Sequence, residues 1–195
     1  MSDTTVVVTD ANYRQCLPIV RGLSRRGYSV VPAGKNRWNP ALHSNVRAGR
    51  FLYADPNRDP TGFIDDLAAG IRRVDGDILL PCSPETLVLI DRHRADLEAE
   101  IAIPIPDPAA LSIAHDKRQL LTRAETANIP VPRSYGPAAV DAPDSITDDV
   151  SFPVVVKPRK ATGAMGLEYA SSGTDLRRIL RELDRRPSTD VFEFF

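Results

Sequence analysis

Residues 4–31, TTVVVTDANYRQCLPIVRGLSRRGYSVV, hold the outline of the fold. Thr4 to Thr9 is a run of β-branched residues ended by Asp10 and Asn12, the pattern of a strand buried on both faces that runs into a loop. Residues 13–26 place Leu17, Ile19, Val20 and Leu23 at helical spacing, with Arg14, Arg21, Arg25 and Arg26 on the other side. Gly27 stands where a helix carboxyl end favours glycine, and Tyr28 to Val31 begins a second strand.

The same unit recurs downstream. Phe51 to Tyr53 reads as a strand, and Asp59-Pro60 opens a helix with Phe63, Ile64, Leu67 and Ile71 inward. Asp77 to Cys82 (DILLPC) is another buried strand. Ser83-Pro84-Glu85 supplies an N-cap with proline at the first helical position, and an amphipathic helix is expected to run on to Glu98 through Leu87, Ile90 and Leu97. Such alternation implies an α/β fold with a parallel sheet and helices on both faces.

Prolines crowd residues 103–108 (IPIPDP), fixing extended geometry and marking a domain boundary. A helix follows from about Asp116 to Ala127, and IPVP at 129–132 breaks it. Residues 136–149 are polar and Pro-containing, and read as a loop. PVVVK at 153–157 is a strand, residues 158–166 a loop, and LEYA at 167–170 a strand. A helix follows Gly173, and VFEFF at 191–195 is a last strand.

Composition narrows the function. The 195 residues are 42% hydrophobic with a formal net charge of -1, enough apolar material for a real core and no bulk field to concentrate nucleic acid. The two cysteines, Cys16 and Cys82, are too few for a disulfide framework or a zinc site, which suits a reducing cytoplasm. No apolar run approaches the roughly 18 residues of a spanning helix, and the amino terminus shows no export signal. Neither a membrane nor a nucleic acid is expected as partner. His43, His93 and His115 are isolated from any ligand-spaced group and are read as surface or capping residues.

In an open parallel sheet, ligands gather at the carboxyl ends of the strands, so Asp10 to Asn12 and Ser83 to Thr86 are candidate binding turns. The turn TDANYRQC has no glycine for close approach of a pyrophosphate, which excludes a nicotinamide or flavin dehydrogenase. Of 25 basic residues only four are lysines, and Lys117, Lys157 and Lys160 fall in the second half. A lysine ending a strand as apolar as PVVVK serves either as a point charge on a phosphate or as an edge residue in water. KATGAMG (residues 160–166) is a small-residue loop whose amides suit polyphosphate oxygens. It lacks the Walker order, and an ordinary flexible hairpin explains it as well.

HDKRQLLTRAETANIPVP (115–132), FPVVVKPRKATGAMG (152–166) and VFEFF resemble the first half of an ATP-grasp fold, of the kind found in ligases related to the carbamoyl-phosphate synthase large subunit. VVVTDA, LPIVRGLSRRGYSVV and DILLPCSPETL are similar to the Rossmann-like pre-ATP-grasp domain of those enzymes. The resemblance implies a pre-ATP-grasp domain over residues 1–108, a linking helical segment over 109–133, and a small α+β lid subdomain over 134–195. It implies ATP and magnesium as cofactors. Lys117 and Lys157 would contact the nucleotide, Lys160 to Gly166 would cover its phosphates with Gly163 and Gly166 as pivots, and Glu193 would belong to the strand against which adenine packs.

By the same resemblance Asp10, Asn12, Ser83 and Glu85 would line the region next to the nucleotide cleft, where a small carboxylate substrate is activated as an acyl phosphate for attack by an amine. The family's magnesium ligands and acyl-phosphate arginine follow the last strand, so no catalytic residue is expected here. The chain by itself is expected to be inactive, as a fragment, half of a split enzyme or a decayed relative. Phe192, Phe194 and Phe195 would then favour self-association or a complementing chain. The alternative is a non-catalytic Rossmann-like module that binds a ligand or partner.

Overall fold

The computed structural model describes residues 4–135, 150–160, 166–184 and 192–194. Two compact units divide the chain, Met1–Pro106 and Asp107–Phe195.

The first unit is built on four parallel strands, β1 (Thr5–Val8), β2 (Ser29–Gly34), β3 (Phe51–Leu52) and β4 (Ile78–Leu80), in the order β3-β2-β1-β4. β1 pairs in parallel with β2 and β4, setting Val7 beside Val31 and Leu79. Its side chains alternate between two cores, as a strand covered on both faces requires. Val7 joins Phe63, Leu67, Ile71, Leu79 and Ile90 on one face, beneath helices α2 (Pro60–Arg73) and α3 (Pro84–Arg92). Val6 and Val8 join Cys16, Val20 and Leu42 on the other, beneath helix α1 (Cys16–Arg25) and a 3-10 turn at Pro40–His43. Both cysteines are free and lie in or against this second core. This is the α/β, Rossmann-like arrangement expected from the alternation of elements.

Local signals fix the helix starts. Asp59 and Ser83 accept hydrogen bonds from the backbone N–H of Gly62 and Thr86, and each is followed by proline at the first helical position. One expectation needs correction. The helix read from Ser83 to Glu98 turns at His93 into a separate α4 (Arg94–Glu98), which carries Leu97 into the core while the Arg94 guanidinium holds Asp91 and the Pro106 carbonyl. Within the linking helical segment expected at 109–133, α5 (Pro108–His115) precedes the helix read from Asp116, and its Asp107 cap accepts from the Ala110 N–H at 2.9 Å.

The second unit adds α6 (Lys117–Thr126), an antiparallel sheet of β5 (Val154–Pro158), β6 (Glu168–Ala170) and β7 (Phe192–Phe194), and α7 (Gly173–Asp184). β5 is central, in the order β6-β5-β7. Val154, Val156 and Ala170 pack on Leu176, Ile179 and Leu180 of α7, so Val155 and Lys157 take the opposite face. Gly166 has φ +71°, and a Cβ there would stand 2.8 Å from the Pro158 ring, which fixes glycine beside the end of β5. The loop expected at 136–149, the interior of the 160–166 loop with Gly163, and the side chains of Phe192, Phe194 and Phe195 lie outside the described residues. Among the described residues no helix is long and apolar enough to cross a membrane.

Candidate functional site

Each strand of the first sheet delivers one polar group at its carboxyl end: Asp10 after β1, Lys35 after β2, Tyr53 after β3 and Ser83 after β4. Together with Asn12, Tyr13, Asn57 and Glu85 they line a crevice of about 20 Å³, room for a small polar group rather than a whole substrate. The four residues expected here, Asp10, Asn12, Ser83 and Glu85, are thus brought together.

They differ in what they are free to do. Asp10, with φ 61°, is 3% exposed, and its Oδ2 accepts from Thr9 Oγ1 at 2.5 Å, Thr86 Oγ1 at 2.6 Å, Ser83 N at 3.0 Å and Cys82 N at 3.1 Å. That oxygen ties the end of β1 to the start of α3. Ser83 Oγ accepts from the Thr86 N–H at the α3 cap, so it too works within the fold. Asn12 is exposed, and Glu85 is half-buried.

Of the lining residues that escaped the sequence reading, three carry groups that bear on the chemistry. The Tyr53 hydroxyl accepts from the Asp10 N–H at 2.8 Å, and burial, with the nearby Asp10 charge, pushes its pKa up. The Tyr13 hydroxyl donates to Glu85 at 3.4 Å and is likewise raised, first by burial and then by Glu85 and Asp10. Lys35 Nζ lies 2.8 Å from Asp55 Oδ2, and this bond lowers the Asp55 pKa. Lys35 and Tyr53 follow β2 and β3 directly, so inspecting the residue after every strand would have found them.

In the second unit the lysines gather around the end of β5. Lys157 lies on the strand, in register with Glu193 of β7. Lys117 Nζ donates to the Pro158 carbonyl at 2.9 Å and approaches that of Arg159 at 3.4 Å. Lys160 follows at an exposed position, and Gly166 packs against Pro158.

Beneath them is a pair the sequence reading did not single out. The buried Asp116 caps α6 by accepting from the backbone of Arg118 and Gln119, and it binds Arg159 by two contacts of 2.6 Å. The Arg159 hydrogen bond, helped by Gln119, holds the Asp116 carboxyl well below the usual range despite burial. This clamp fixes the first turn of α6, which carries Lys117, to the end of β5.

No protein-family model and no curated protein matches the sequence. Solved structures do resemble it. An L-amino acid ligase from Bacillus licheniformis aligns with 100% of this chain and 44% of its own at 13% identity and TM-score 0.70. A biotin carboxylase from Campylobacter jejuni, in a β,γ-ATP complex, aligns with 98% and 45% at 14% identity and TM-score 0.72. The biotin carboxylase domain of 2-oxoglutarate carboxylase from Hydrogenobacter thermophilus, crystallised with MgADP, ADP and bicarbonate, aligns with 99% and 44% at 15% identity and TM-score 0.69. The fold is that of the amino-terminal portion of ATP-grasp ligases. The chain spans less than half the length of each of these relatives, and at such identities the likeness concerns the fold.

Proposed function

We propose that the chain is the ATP-binding amino-terminal portion of an ATP-grasp ligase, one that activates a carboxylate as an acyl phosphate for attack by an amine or similar nucleophile. The observation that carries this reading is the gathering of Lys117, Lys157 and Gly166 about the end of a single strand, in a chain whose whole length aligns with ATP-grasp enzymes. Two of those relatives were crystallised with ADP and magnesium or with a β,γ-ATP ligand.

ATP would supply the phosphoryl group and the driving force. Lys117 and Lys157 would hold its phosphates as point charges, with Lys117 oriented by the Pro158 carbonyl and Asp116 keeping that helix end in place. The segment from Lys160 to Gly166, Gly163 included, would cover the phosphates, and the strand of Glu193 would border adenine. In the first unit Asn12 and Glu85 would meet the small carboxylate substrate or its nucleophile, with Asp10 and Ser83 shaping the crevice. Among the described residues no three His, Cys, Asp or Glu side chains gather around a common point, so no ligand is assigned to magnesium. The finer kinship with the carbamoyl-phosphate synthase large subunit, a cytoplasmic location, and association with a second copy or a complementing chain belong to the same proposal.

Calorimetric titration of ATP with magnesium into the wild-type chain and Lys157→Ala tests it. Saturable binding weakened about tenfold or more in the variant is expected, for loss of one phosphate charge contact. Equal binding by both chains, or none by either, favours the non-catalytic Rossmann-like module.

A further inference from the structure

At the β3 edge of the first sheet, a second cleft shares no lining residue with the crevice at Asp10. Its volume is about 300 Å³, at the lower limit of small-molecule sites. Leu42, Phe51 and Leu52 give it apolar walls, and its two other lining residues, Arg37 and Arg50, are basic.

The charges are placed in an unusual way. Arg47 Nε and Arg50 Nη1 both donate to the Leu42 carbonyl, at 2.7 and 3.2 Å, so one oxygen holds two cations side by side. The backbone of Arg37 is fixed through its carbonyl, 2.7 Å from His43 Nε2. Among the described residues Arg37, Arg47 and Arg50 form no ion pair, although the chain carries 26 acidic residues against 25 basic ones. Surface arginines on a near-neutral protein ordinarily mix with acids; three together without one leave a local positive field.

A guanidinium has five N–H donors, and the Leu42 carbonyl engages one from each of its two arginines. Arg50, whose other donors are not used by that carbonyl, lines the apolar cleft. An anion arriving there gains charge-assisted hydrogen bonds from side chains already partly ordered, and it relieves the repulsion between them.

We propose that this cleft binds a small organic phosphate monoester, its phosphate held by Arg37 and Arg50 with Arg47 adding to the field, and its apolar body against Leu42, Phe51 and Leu52. Planar guanidinium forks favour the tetrahedral, doubly charged phosphate over a singly charged anion. The site is independent of the nucleotide-binding reading, because it uses none of the same side chains.

Titration of the full chain with phenyl phosphate at low ionic strength tests it. Saturable one-to-one binding is expected, weakened about tenfold in Arg37→Gln and further in Arg37→Gln/Arg50→Gln, and unaffected by Lys157→Ala. The Arg37 side chain makes no hydrogen bond among the described residues, so a loss in the single variant does not stem from misfolding; thermal melting of both variants checks this. Phenol, which lacks the anion, should give no saturable heat. Failure of the wild type to bind phenyl phosphate overturns the proposal, as does equal affinity in the double variant. Inorganic phosphate binding as tightly as the ester would overturn the role of the apolar walls. Loss of ATP binding in Lys157→Ala with phenyl phosphate binding intact separates this site from the nucleotide site.

Discussion

The two units place chemistry by opposite rules. In the first, a parallel sheet is covered on both faces, β1 sends Val7 into one core and Val6 and Val8 into the other, and polar groups are left to the carboxyl ends of the strands. In the second, an antiparallel sheet is packed by α7 on the face of Val154 and Val156, so a charged residue such as Lys157 sits within a strand on the alternate face. In the doubly covered sheet polar groups fall at the rim, whereas β5 carries a charged residue within the strand.

The largest effect should come from the doubly covered core. Phe63 is fully buried and meets the Tyr53 ring edge-on, with centroids 4.9 Å apart. Phe63→Ala should cost about 4 kcal/mol. Differential scanning calorimetry should show the loss in the transition of the first unit, with that of the second unmoved; one shifted transition for the whole chain would break the division. Next, Asp10→Ala removes the acceptor of two hydroxyls and two amides and puts alanine at a left-handed backbone position, for about 3 kcal/mol in urea unfolding. A loss under 1 kcal/mol would mean that this oxygen does not tie β1 to α3.

A smaller effect belongs to the clamp of the second unit. Asp116→Asn should cost about 2 kcal/mol at neutral pH, because the charge that attracts Arg159 at this contact is removed. The folded carboxyl is depressed below its unfolded pKa of about 3.9, so its stabilisation is complete above that value and disappears as pH falls further. Stability of the wild type should therefore drop more steeply than that of the variant below about pH 4. Parallel acid limbs would show that the ion pair is not formed in solution.

Much of the first unit was legible because its signals are local. A β-branched run marked β1, a short apolar run marked β4, and Asp59-Pro60 and Ser83-Pro84 marked two helix starts. Asp107-Pro108 carries the same cap signature, and α5 falls within the helical segment expected at 109–133, although its own start among the prolines was not read. The turn at His93 depends on Arg94 reaching the Pro106 carbonyl, a contact between residues distant in sequence. The same limit applied to the sites. Asp10, Asn12, Ser83 and Glu85 follow from the rule for strand ends, whereas the Asp116–Arg159 clamp spans 43 positions and leaves no periodic trace.

Hydrogen exchange of the chain with and without millimolar ATP and magnesium tests the central claim, that the face of β5 bearing Lys157 covers a nucleotide. Slowed exchange at residues 154–160 and 166–170, with the core amides of α2 unchanged, is the predicted result. Protection confined to the first unit, or no change at saturating nucleotide, would contradict it.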